Sequence, residues 1–401
     1  MSVDPVLTLD PSSGLVSQSS VYAPNESGLW RTVATLANGS CHGSGFASAV
    51  GAFDVRRRGS LMRGAGEAVE RFALVPSPSD AAHLAATDAA GRRIDFVTAG
   101  LGRASALACD VPWYRAVDLL TGQESLVPAP VVDYRAGGPG PEPWERFFDP
   151  SPNGAASGPS EHFAQTSALA EVVERDAFLA AWQTMEPLHK VDATGLSESP
   201  KALALKVLSD AALAAGISFT LAFVPSEASP LMTAVCIIIG ATESAPFGAV
   251  GLKAAADPAT AMLGALQEGL QIRELFLSRE PGAFRSGAAV TDDSTRADFW
   301  STAPAVSALR DWTQTFPTVP VPDDQALPDA DVLVKYLAGR EISSHWVNLT
   351  HRLPTAIREL GWVTGKVVCP GAVQLSMDES KGLNLLRQGI VPSKQLPHPL
   401  I

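Results

Sequence analysis

The sequence predicts an α+β fold, a layered α/β domain in which helices pack on β-sheets. Three segments repeat apolar residues at the spacing of a helix, and two β-rich apolar runs lie between the second and third of them. The order helix, helix, two strands, helix is typical of layered domains. We expect a mostly irregular N-terminal segment over residues 1–38, followed by a single domain over residues 39–401.

The first two helices are predicted over residues 60–74 and 163–182. In the first, Ala, Val, Phe and Leu recur at helical spacing, and Ser60 stands where an N-cap would lie. The second is apolar nearly all round, ending in the run from Ala177 to Trp182. A helix of that composition is normally buried, so the second helix is expected inside the domain.

The strands and the third helix follow along the chain. Residues 219–224 and 233–239 are short, β-rich runs separated by a turn with Pro225 and Pro230, which predicts adjacent buried strands. The third helix is predicted over residues 258–277, with Pro258 at its first position, where no hydrogen bond is lost. Stretches rich in Gly, Pro and Ser predict irregular connections at residues 136–143, 150–159 and 317–328.

Composition excludes several classes of protein. The 30 basic and 42 acidic residues give a net charge of −12, which disfavours binding to the backbone of nucleic acid. No apolar run approaches the roughly 20 residues of a membrane-spanning helix, and the first residues lack the features of a secretion signal. The 4 cysteines are scattered, which indicates reduced thiols. We therefore expect a cytoplasmic protein that binds neither nucleic acid nor membrane.

One signature occurs twice in the predicted helices: a Glu, two other residues, a second Glu and an Arg. It comprises Glu67, Glu70 and Arg71 in the first helix, and Glu171, Glu174 and Arg175 in the second. Residues three apart lie on one face of a helix, so each helix presents two carboxylates beside a cation. The third helix carries Glu268, Gln271 and Arg273.

The ordinary structural explanation of these residues is that they lie on the solvated faces of amphipathic helices. The apolar surroundings of Glu171 and Glu174 argue against it, because a buried carboxylate costs several kcal/mol unless positive charge compensates it. The arginines alone do not neutralise five carboxylates, whereas divalent cations bound by oxygen ligands and bridging to phosphate do. The pattern indicates a site for Mg²⁺ and a nucleoside triphosphate, and no GxxxxGK[ST] loop is present to make it a P-loop site.

The three motifs together resemble the YcaO family, whose signatures are Ser-x-x-x-Glu-x-x-Glu-Arg, the same pattern again, and Glu-x-x-Gln-x-Arg. The second and third motifs are complete here, whereas the first has Arg63 at the position of its Ser. The resemblance implies a YcaO fold, with carboxylate-bearing helices packed on β-sheets around a central nucleotide site. The implied Mg²⁺ ligands are Glu67, Glu70, Glu171, Glu174 and Glu268, and the implied ATP contacts are Arg71, Ser167, Arg175, Gln271 and Arg273.

The resemblance also implies a reaction. In the family, a side chain or amine of a ribosomally made precursor peptide attacks a backbone carbonyl, ATP phosphorylates the resulting oxyanion, and loss of phosphate completes the loss of water. The expected activity is an ATP-dependent cyclodehydratase that forms an azoline or a macroamidine. The alternatives are thioamide formation with a sulfur donor, a non-catalytic leader-binding scaffold subunit, and assistance in modifying a folded protein.

Partners follow from the same resemblance. The residues before Gly39 are too few for a leader-binding domain, so a separate partner protein recognises the leader or the enzyme works alone, as in bottromycin-type pathways. A homodimer is a further expectation that remains open.

The C-terminal tail resembles the Pro-x-Pro-x-Pro end of azoline-forming YcaO members. Pro397 and Pro399 match the pattern, and Ile401 replaces the last Pro. In those members the C-terminus reaches the active site, so the resemblance implies that this tail helps to position catalytic groups. A polyproline-like end on the surface is the alternative. The reaction also needs a general base, for which the sequence leaves four histidines open: His42, His162, His351 and His398.

Overall fold

A computed structural model of the protein describes residues 3–24, 26–38, 49–84, 92–135, 142–191, 196, 198–226, 228–280, 282–383 and 396–401. The helices are α1 (Pro5–Thr8), α2 (Arg57–Ala73), α3 (Ala129–Val132), α4 (Glu161–Thr184), α5 (Pro200–Ala214), α6 (Pro258–Ser278), α7 (Asp293–Phe299), α8 (Ala303–Gln314), α9 (Ala330–Ala338) and α10 (Thr355–Glu359). None of these helices is long and apolar enough to span a bilayer.

Strands form three sheets in this part of the chain. They are β1 (Val16–Tyr22), β2 (Trp30–Leu36), β3 (Val50–Asp54), β4 (Arg92–Arg93), β5 (Trp113–Asp118), β6 (Glu124–Pro128), β7 (Ala155–Gly158), β8 (His189–Val191), β9 (Thr220–Phe223), β10 (Met232–Ala241), β11 (Pro246–Ala255), β12 (Thr318–Val319), β13 (His345–Asn348) and β14 (Val363–Val368). The predicted α+β layered class is confirmed, with helices and sheets packed in layers.

The N-terminal segment is structured, so the prediction of a mostly irregular region over residues 1–38 is wrong. β1, β2 and β3 form an antiparallel sheet, and the expected boundary after residue 38 divides this sheet. β2 buries Thr32, Ala34 and Leu36 on one face, and it pairs with β1 on one side and with β3 on the other. α2 packs on this sheet and begins at Arg57, so Ser60 lies inside the helix, where its hydroxyl is 2.6 Å from that of Thr32.

The six-stranded sheet has the order β4-β6-β5-β13-β14-β7. β7 lies within residues 150–159, which were predicted to be irregular. Its residues Ala155 to Gly158 are small, and they pair with β14 while the Ser157 hydroxyl donates to the Gly66 carbonyl of α2 at 2.9 Å. Small residues have low strand propensity, but here they allow α2 to approach the sheet closely. The predicted connection at 317–328 likewise contains a strand, β12.

The five-stranded sheet has the order β11-β10-β9-β8-β12, so β11 is an edge strand. β9 and β10 are antiparallel neighbours, which confirms the two adjacent strands predicted from the sequence. β10 pairs with β11 from Met232 opposite Ala255 to Ala241 opposite Pro246. α6 packs across β10 and β11, and its bounds agree with the prediction to one residue. Asp257 caps it through the N–H groups of Ala259 and Thr260.

α4 packs against both the six-stranded and the five-stranded sheet. Ser160 caps its first turn by accepting from the N–H of Phe163, and Met185 ends it in the left-handed region, at a φ of 54°. One face packs against β7 and β14 of the six-stranded sheet, and α4 also contacts β10 and β11. The second helix is thus inside the domain, as its apolar composition predicted. The motif carboxylates of α2, α4 and α6 lie close enough there to interact electrostatically.

Candidate active site

The carboxylates of α2 and α4 lie close enough to repel one another. Burial raises the pKa of Glu70 well above its ordinary value, and the charges of Glu67 and Glu171 raise it further. The guanidinium groups of Arg71 and Arg175 oppose this rise. Residues that are a hundred positions apart in the chain therefore share one electrostatic environment, as the repeated motif predicted.

Each motif arginine pairs with the first Glu of its own motif. The Nε atom of Arg71 is 2.7 Å from Oε1 of Glu67, and Nη2 of Arg175 is 3.7 Å from Oε1 of Glu171. Both pairs span four residues, the spacing that brings side chains together on one helix face. The Nε atom of Arg175 is buried and has no hydrogen-bond partner, so this donor is available to a ligand.

The edge strand β11 brings the second Glu of α4 next to the Glu of α6. Glu268 accepts a 2.6 Å hydrogen bond from the N–H of Leu252, and Glu174 accepts one from the N–H of Ala254. Alternate residues of an edge strand point their free N–H groups the same way, at a separation of about 6–7 Å. The edge therefore holds these two carboxylates side by side, and Arg175 lies near both of them.

Glu268 has an unusually high proton affinity. Burial, and after it the charge of Glu174, raise its pKa to about 7, although Arg175 and the N–H of Leu252 oppose the rise. The pKa of Glu171 is also raised, again chiefly by burial. Carboxylates this crowded are stabilised in the ionised form by added positive charge.

The five carboxylates differ in exposure. Glu174 is buried, with 6% of its surface exposed, whereas the side chains of Glu67 and Glu171 are 31% and 26% exposed. Full burial was expected on the second helix, and it holds for Glu174 but not for Glu171. The cluster is therefore partly open to solvent, so that a charged ligand can reach Glu67 and Glu171.

The donor set fits Mg²⁺ and phosphate. Carboxylate oxygens are the ligands that Mg²⁺ takes together with substrate phosphates, and the buried Arg175 Nε offers a donor for a phosphate oxygen. Across the described ranges, no three His, Cys, Asp or Glu side chains form a preassembled metal-ligand group. Glu67 and Glu171 pair with arginines instead, and Glu174 and Glu268 with backbone N–H groups.

Of the residues predicted to contact ATP, Ser167 and Gln271 lie beside the carboxylates, whereas Arg273 points away from them. Ser167 is half-buried one turn before Glu171 on α4, and Gln271 is half-buried one turn after Glu268 on α6. Arg273 points elsewhere, because it lies five residues after Glu268 and thus about 140° around the helix. Its guanidinium is 2.9 Å from Glu274 and 3.3 Å from Glu26.

Arg63, which stands where the family has Ser, links α2 to α6. Its Nη1 atom donates to Oε1 of Gln267 at 3.1 Å and lies 3.7 Å from Oδ2 of Asp54. The Nε2 atom of Gln267 is buried without a hydrogen-bond partner. The substitution thus replaces a short hydroxyl by a cross-helix contact beside Glu268.

Two of the histidines considered as a general base lie away from the cluster. His162 is exposed in the first turn of α4. His351 lies 2.7 Å from Asp80 and stacks on His83 with ring centroids 3.6 Å apart. The charged groups near it are Asp80, His83 and Arg352, none of which belongs to the carboxylate cluster. His42 lies outside the described residues.

The C-terminal tail is anchored inside the protein, so a polyproline-like end on the surface is wrong. The carbonyl of His398 accepts hydrogen bonds from Arg296 at 3.0 Å and from the indole of Trp300 at 3.1 Å. Pro399 is buried, and Pro397 and Ile401 are half-buried. Arg296 has no exposed surface, so its buried charge has to be satisfied by this segment and its neighbours.

His398 is a tail residue that lies near the cluster. Its Nε2 atom is 2.7 Å from the Ser376 carbonyl, which makes Nε2 the protonated nitrogen. Burial lowers the pKa of His398 well below its usual value, and the charges of Arg296 and Arg175 lower it further. The ring is therefore neutral at physiological pH. The charge of Arg175, a motif arginine, is one of the causes that lower its pKa.

Three residues near the cluster carry no signal in the sequence. Burial raises the pKa of Asp293 on α7, whereas Arg71 and Arg175 oppose the rise. The ring of Tyr134 lies 5.7 Å from the guanidinium carbon of Arg71. Lys366 of β14 is buried, and burial lowers its pKa to about 7. None of these residues belongs to a repeated motif or to a characteristic spacing in the sequence, so only the fold shows that they lie near the cluster.

Comparison with protein families decides the identity. The model of the YcaO family, described as YcaO cyclodehydratase with ATP and Mg²⁺ binding, matches residues 55–373. The chain belongs to the YcaO family. The match includes all three motifs, so the resemblance seen in the motifs is confirmed. This YcaO protein is accordingly an ATP-dependent cyclodehydratase by family, and ATP and Mg²⁺ are its cofactors, as predicted.

Solved structures share the fold. YcaO from Methanopyrus kandleri, bound with AMPPCP and Mg²⁺, is 18% identical with a TM-score of 0.67, and the alignment covers 97% of this chain and 92% of that one. A heterocyclase in complex with substrate and cofactor is 16% identical, with a TM-score of 0.70 and coverage of 98% and 56%.

A chain of the Escherichia coli microcin synthetase McbBCD complex is 14% identical to this YcaO protein, with a TM-score of 0.57 and coverage of 88% of each chain. No curated protein sequence matches this chain. At these identities the similarity establishes the YcaO fold. The roles of individual site residues stay predictions.

Proposed function

We propose that this YcaO protein activates a backbone amide of a ribosomally made precursor peptide by ATP-dependent phosphorylation, and that ring closure with loss of water follows. The product would be an azoline or a macroamidine. The observation that carries the proposal is the meeting of five Glu side chains from α2, α4 and α6 around Arg71 and Arg175. A site of this charge pattern is suited to a metal-bound triphosphate.

Each part of the cluster has a role in this proposal. Glu67, Glu70, Glu171, Glu174 and Glu268 would hold Mg²⁺, which neutralises phosphate charge when bound. Arg175 would donate from its free Nε atom to a phosphate oxygen, and Arg71 would approach from α2. Ser167 and Gln271 are half-buried one turn from Glu171 and Glu268, positions from which they would contact the nucleotide. Arg273 would have to leave Glu26 and Glu274 to do so.

The arginines also suit the chemistry of the amide. When a side chain or amine of the peptide adds to the carbonyl carbon, its proton passes to a base and negative charge develops on the carbonyl oxygen. Fixed guanidinium groups stabilise such charge without reorganising. ATP would transfer its γ-phosphoryl group to this oxygen with ADP as the leaving group. The C–O bond would then break as inorganic phosphate leaves, and loss of the N–H proton would form the C=N bond.

The tail would complete the site. Arg296 and Trp300 hold the backbone of His398, and the ring of His398 lies near enough to Arg175 to sense its charge. We propose that Pro397, Pro399 and Ile401 keep this segment in place, so that the neutral His398 serves the reaction as a base or as a positioning group. Replacing Ile401 with Pro would then preserve activity, whereas deleting residues 397–401 would abolish it.

Related structures support a peptide substrate. One neighbour is a heterocyclase in complex with its substrate, and another belongs to the McbBCD complex, which has also been solved with pro-MccB17 bound. A separate leader-binding partner is therefore part of the proposal, together with a cytoplasmic location, where ATP and newly made peptides occur. Assembly as a homodimer is a further part of it, which light scattering of the purified chain would check.

The deciding experiment incubates the purified chain with ATP, Mg²⁺ and candidate precursor peptides and follows peptide mass and phosphate release. Loss of one water per modified residue, dependent on ATP, is the expected result. Exchange of oxygen for sulfur, seen only with a sulfur donor, would replace ring closure by thioamide formation. Absence of ATP turnover with every peptide and partner would contradict an enzymatic role and favour a leader-binding scaffold.

A further inference from the structure

A third arginine lies on the same face of α2 as the expected Mg²⁺ ligands. Arg63 stands one turn before Glu67, and Glu70 follows Arg63 by two turns. Residues four and seven positions apart lie within about 60° of one another around a helix, so the three side chains leave α2 on one side. Arg63 therefore adds a positive charge beside the carboxylates, at the position where the family motif has a short hydroxyl.

Most of the binding capacity of Arg63 is unused. Within the described part of the chain its guanidinium makes one hydrogen bond, from Nη1 to Oε1 of Gln267 at 3.1 Å. The distance of 3.7 Å to Oδ2 of Asp54 is too long for another. A guanidinium has five N–H donors, and the side chain of Arg63 is 43% exposed. Its remaining donors can therefore reach a ligand that enters from solvent.

Gln267, the partner of Arg63, also has an unused donor. It is 4% exposed, and its Nε2 atom is buried without a hydrogen-bond partner in the described structure. A buried donor without an acceptor is costly, and a ligand that brings an acceptor oxygen removes this cost. Gln267 precedes Glu268 in the chain and lies one turn before Gln271. The unused donor thus lies in the same part of α6 as the expected nucleotide contacts.

The arginine of the third motif is occupied, in contrast to Arg63. Arg273 lies 2.9 Å from Glu274 and 3.3 Å from Glu26, and its side chain is 14% exposed. It also points about 140° away from Glu268 around α6. The third motif therefore does not bring its guanidinium to the carboxylates in this structure. Arg63 reaches α6 from α2 and supplies a guanidinium there instead.

We propose that Arg63 binds a phosphate group of ATP, and that Nε2 of Gln267 donates to an oxygen of the same group. The inference rests on the proposed function for the place of the nucleotide beside the carboxylate cluster. A guanidinium suits this role because it stays charged and presents its N–H groups as a planar fork that matches two phosphate oxygens. Arg63 thus takes over a phosphate contact that Arg273, held by two carboxylates, does not make.

The test measures nucleotide binding without a peptide, so it needs no turnover. Calorimetry with Mg²⁺ and AMPPCP compares the unmodified protein with Arg63→Gln, and adenosine serves as a ligand without phosphate. The variant should bind AMPPCP about 10-fold more weakly, because a charge-assisted contact is lost, and should bind adenosine equally well. Arg58→Gln makes the same charge change on an exposed residue of α2, about 140° around the helix from Arg63. It should change neither affinity.

Two more variants separate the charge from the geometry. Arg63→Lys keeps the charge and loses the fork, so its affinity for AMPPCP should lie between those of Arg63→Gln and the unmodified protein. Gln267→Met keeps the length of the side chain and removes the unused donor, and it should weaken AMPPCP about 3-fold. Thermal unfolding of each variant shows whether a change in affinity is accompanied by a change in stability.

Unchanged AMPPCP affinity of Arg63→Gln, with a lowered Tm, would overturn the inference and make Arg63 a structural link between α2 and α6. Equal weakening of AMPPCP and adenosine would overturn it too, as would equal effects of Arg63→Gln and Arg58→Gln. The two proposals fail differently. A 10-fold loss of AMPPCP affinity without loss of water from any peptide would refute the chemistry alone. ATP-dependent loss of water together with unchanged AMPPCP affinity of Arg63→Gln would refute the role of Arg63 alone.

Discussion

Glu268→Gln tests the electrostatics of the carboxylate cluster most directly. In the metal-free protein, burial and the charge of Glu174 raise the pKa of Glu268 from 4.5 to about 7. Between these two values the folded protein holds a proton that the unfolded chain has released. The contribution of Glu268 to the free energy of unfolding therefore falls as pH rises through this window, and this contribution is lowest above pH 7.

The size of the effect follows from the shift. A change from 4.5 to about 7 corresponds to at most roughly 3 kcal/mol at pH 8. The amide introduced by Glu268→Gln does not ionise and keeps an oxygen that accepts from the N–H of Leu252, so the variant should be more stable than the unmodified protein by up to this amount. For a chain of 401 residues, this is a rise in Tm of roughly 3 to 4 °C.

The assay is thermal unfolding in buffer with a metal chelator, at pH 5 and at pH 8. The stabilisation should be largest at pH 8 and several-fold smaller at pH 5, where Glu268 is protonated in the fold and only the unfolded chain has released its proton. Added Mg²⁺ should raise the Tm of the unmodified protein more than that of the variant, because ligand binding stabilises the folded state. Glu243→Gln, in an exposed turn, is the matched control. A variant that is equally or less stable than the unmodified protein at pH 8 would refute the reasoning.

Three further variants probe the site and its supports. Glu171→Gln should abolish ATP-dependent loss of water with little change in Tm; normal turnover would contradict its assignment as a metal ligand. Arg296→Leu should cost about 3 to 5 kcal/mol and expose the tail to carboxypeptidase, because it removes the buried ion pair with Glu379 and one donor each from the carbonyls of His398 and Ser376. Arg310→Leu, on the exposed face of α8, should do neither, and equal protease resistance of both variants would contradict the anchoring. Lys366→Met should lower the urea midpoint by the equivalent of about 2 kcal/mol, because its carbonyl partners lose their donor, and an unchanged midpoint would contradict that role.

The long helices were predictable because their signals are local. α4 and α6 differ from their predicted bounds by at most two residues, since each has a long periodic pattern and a capping residue at its start. The sheet of β1, β2 and β3 was missed because β1 is mostly polar and gains its stability from pairing with β2. β7 was missed because its small residues resemble a loop in composition and act through close packing.

The sequence by itself determined which residue types stand one helical turn apart, and hence that α2, α4 and α6 each present a carboxylate beside a second polar group. That spacing is a property of the helix backbone and needs no partner. Only the tertiary structure decided that the free N–H groups of β11 hold Glu174 beside Glu268, that Arg273 turns to Glu26, and that Asp293 approaches the two arginines. Those contacts depend on how separate elements pack, which is governed by burial and pairing across the whole domain.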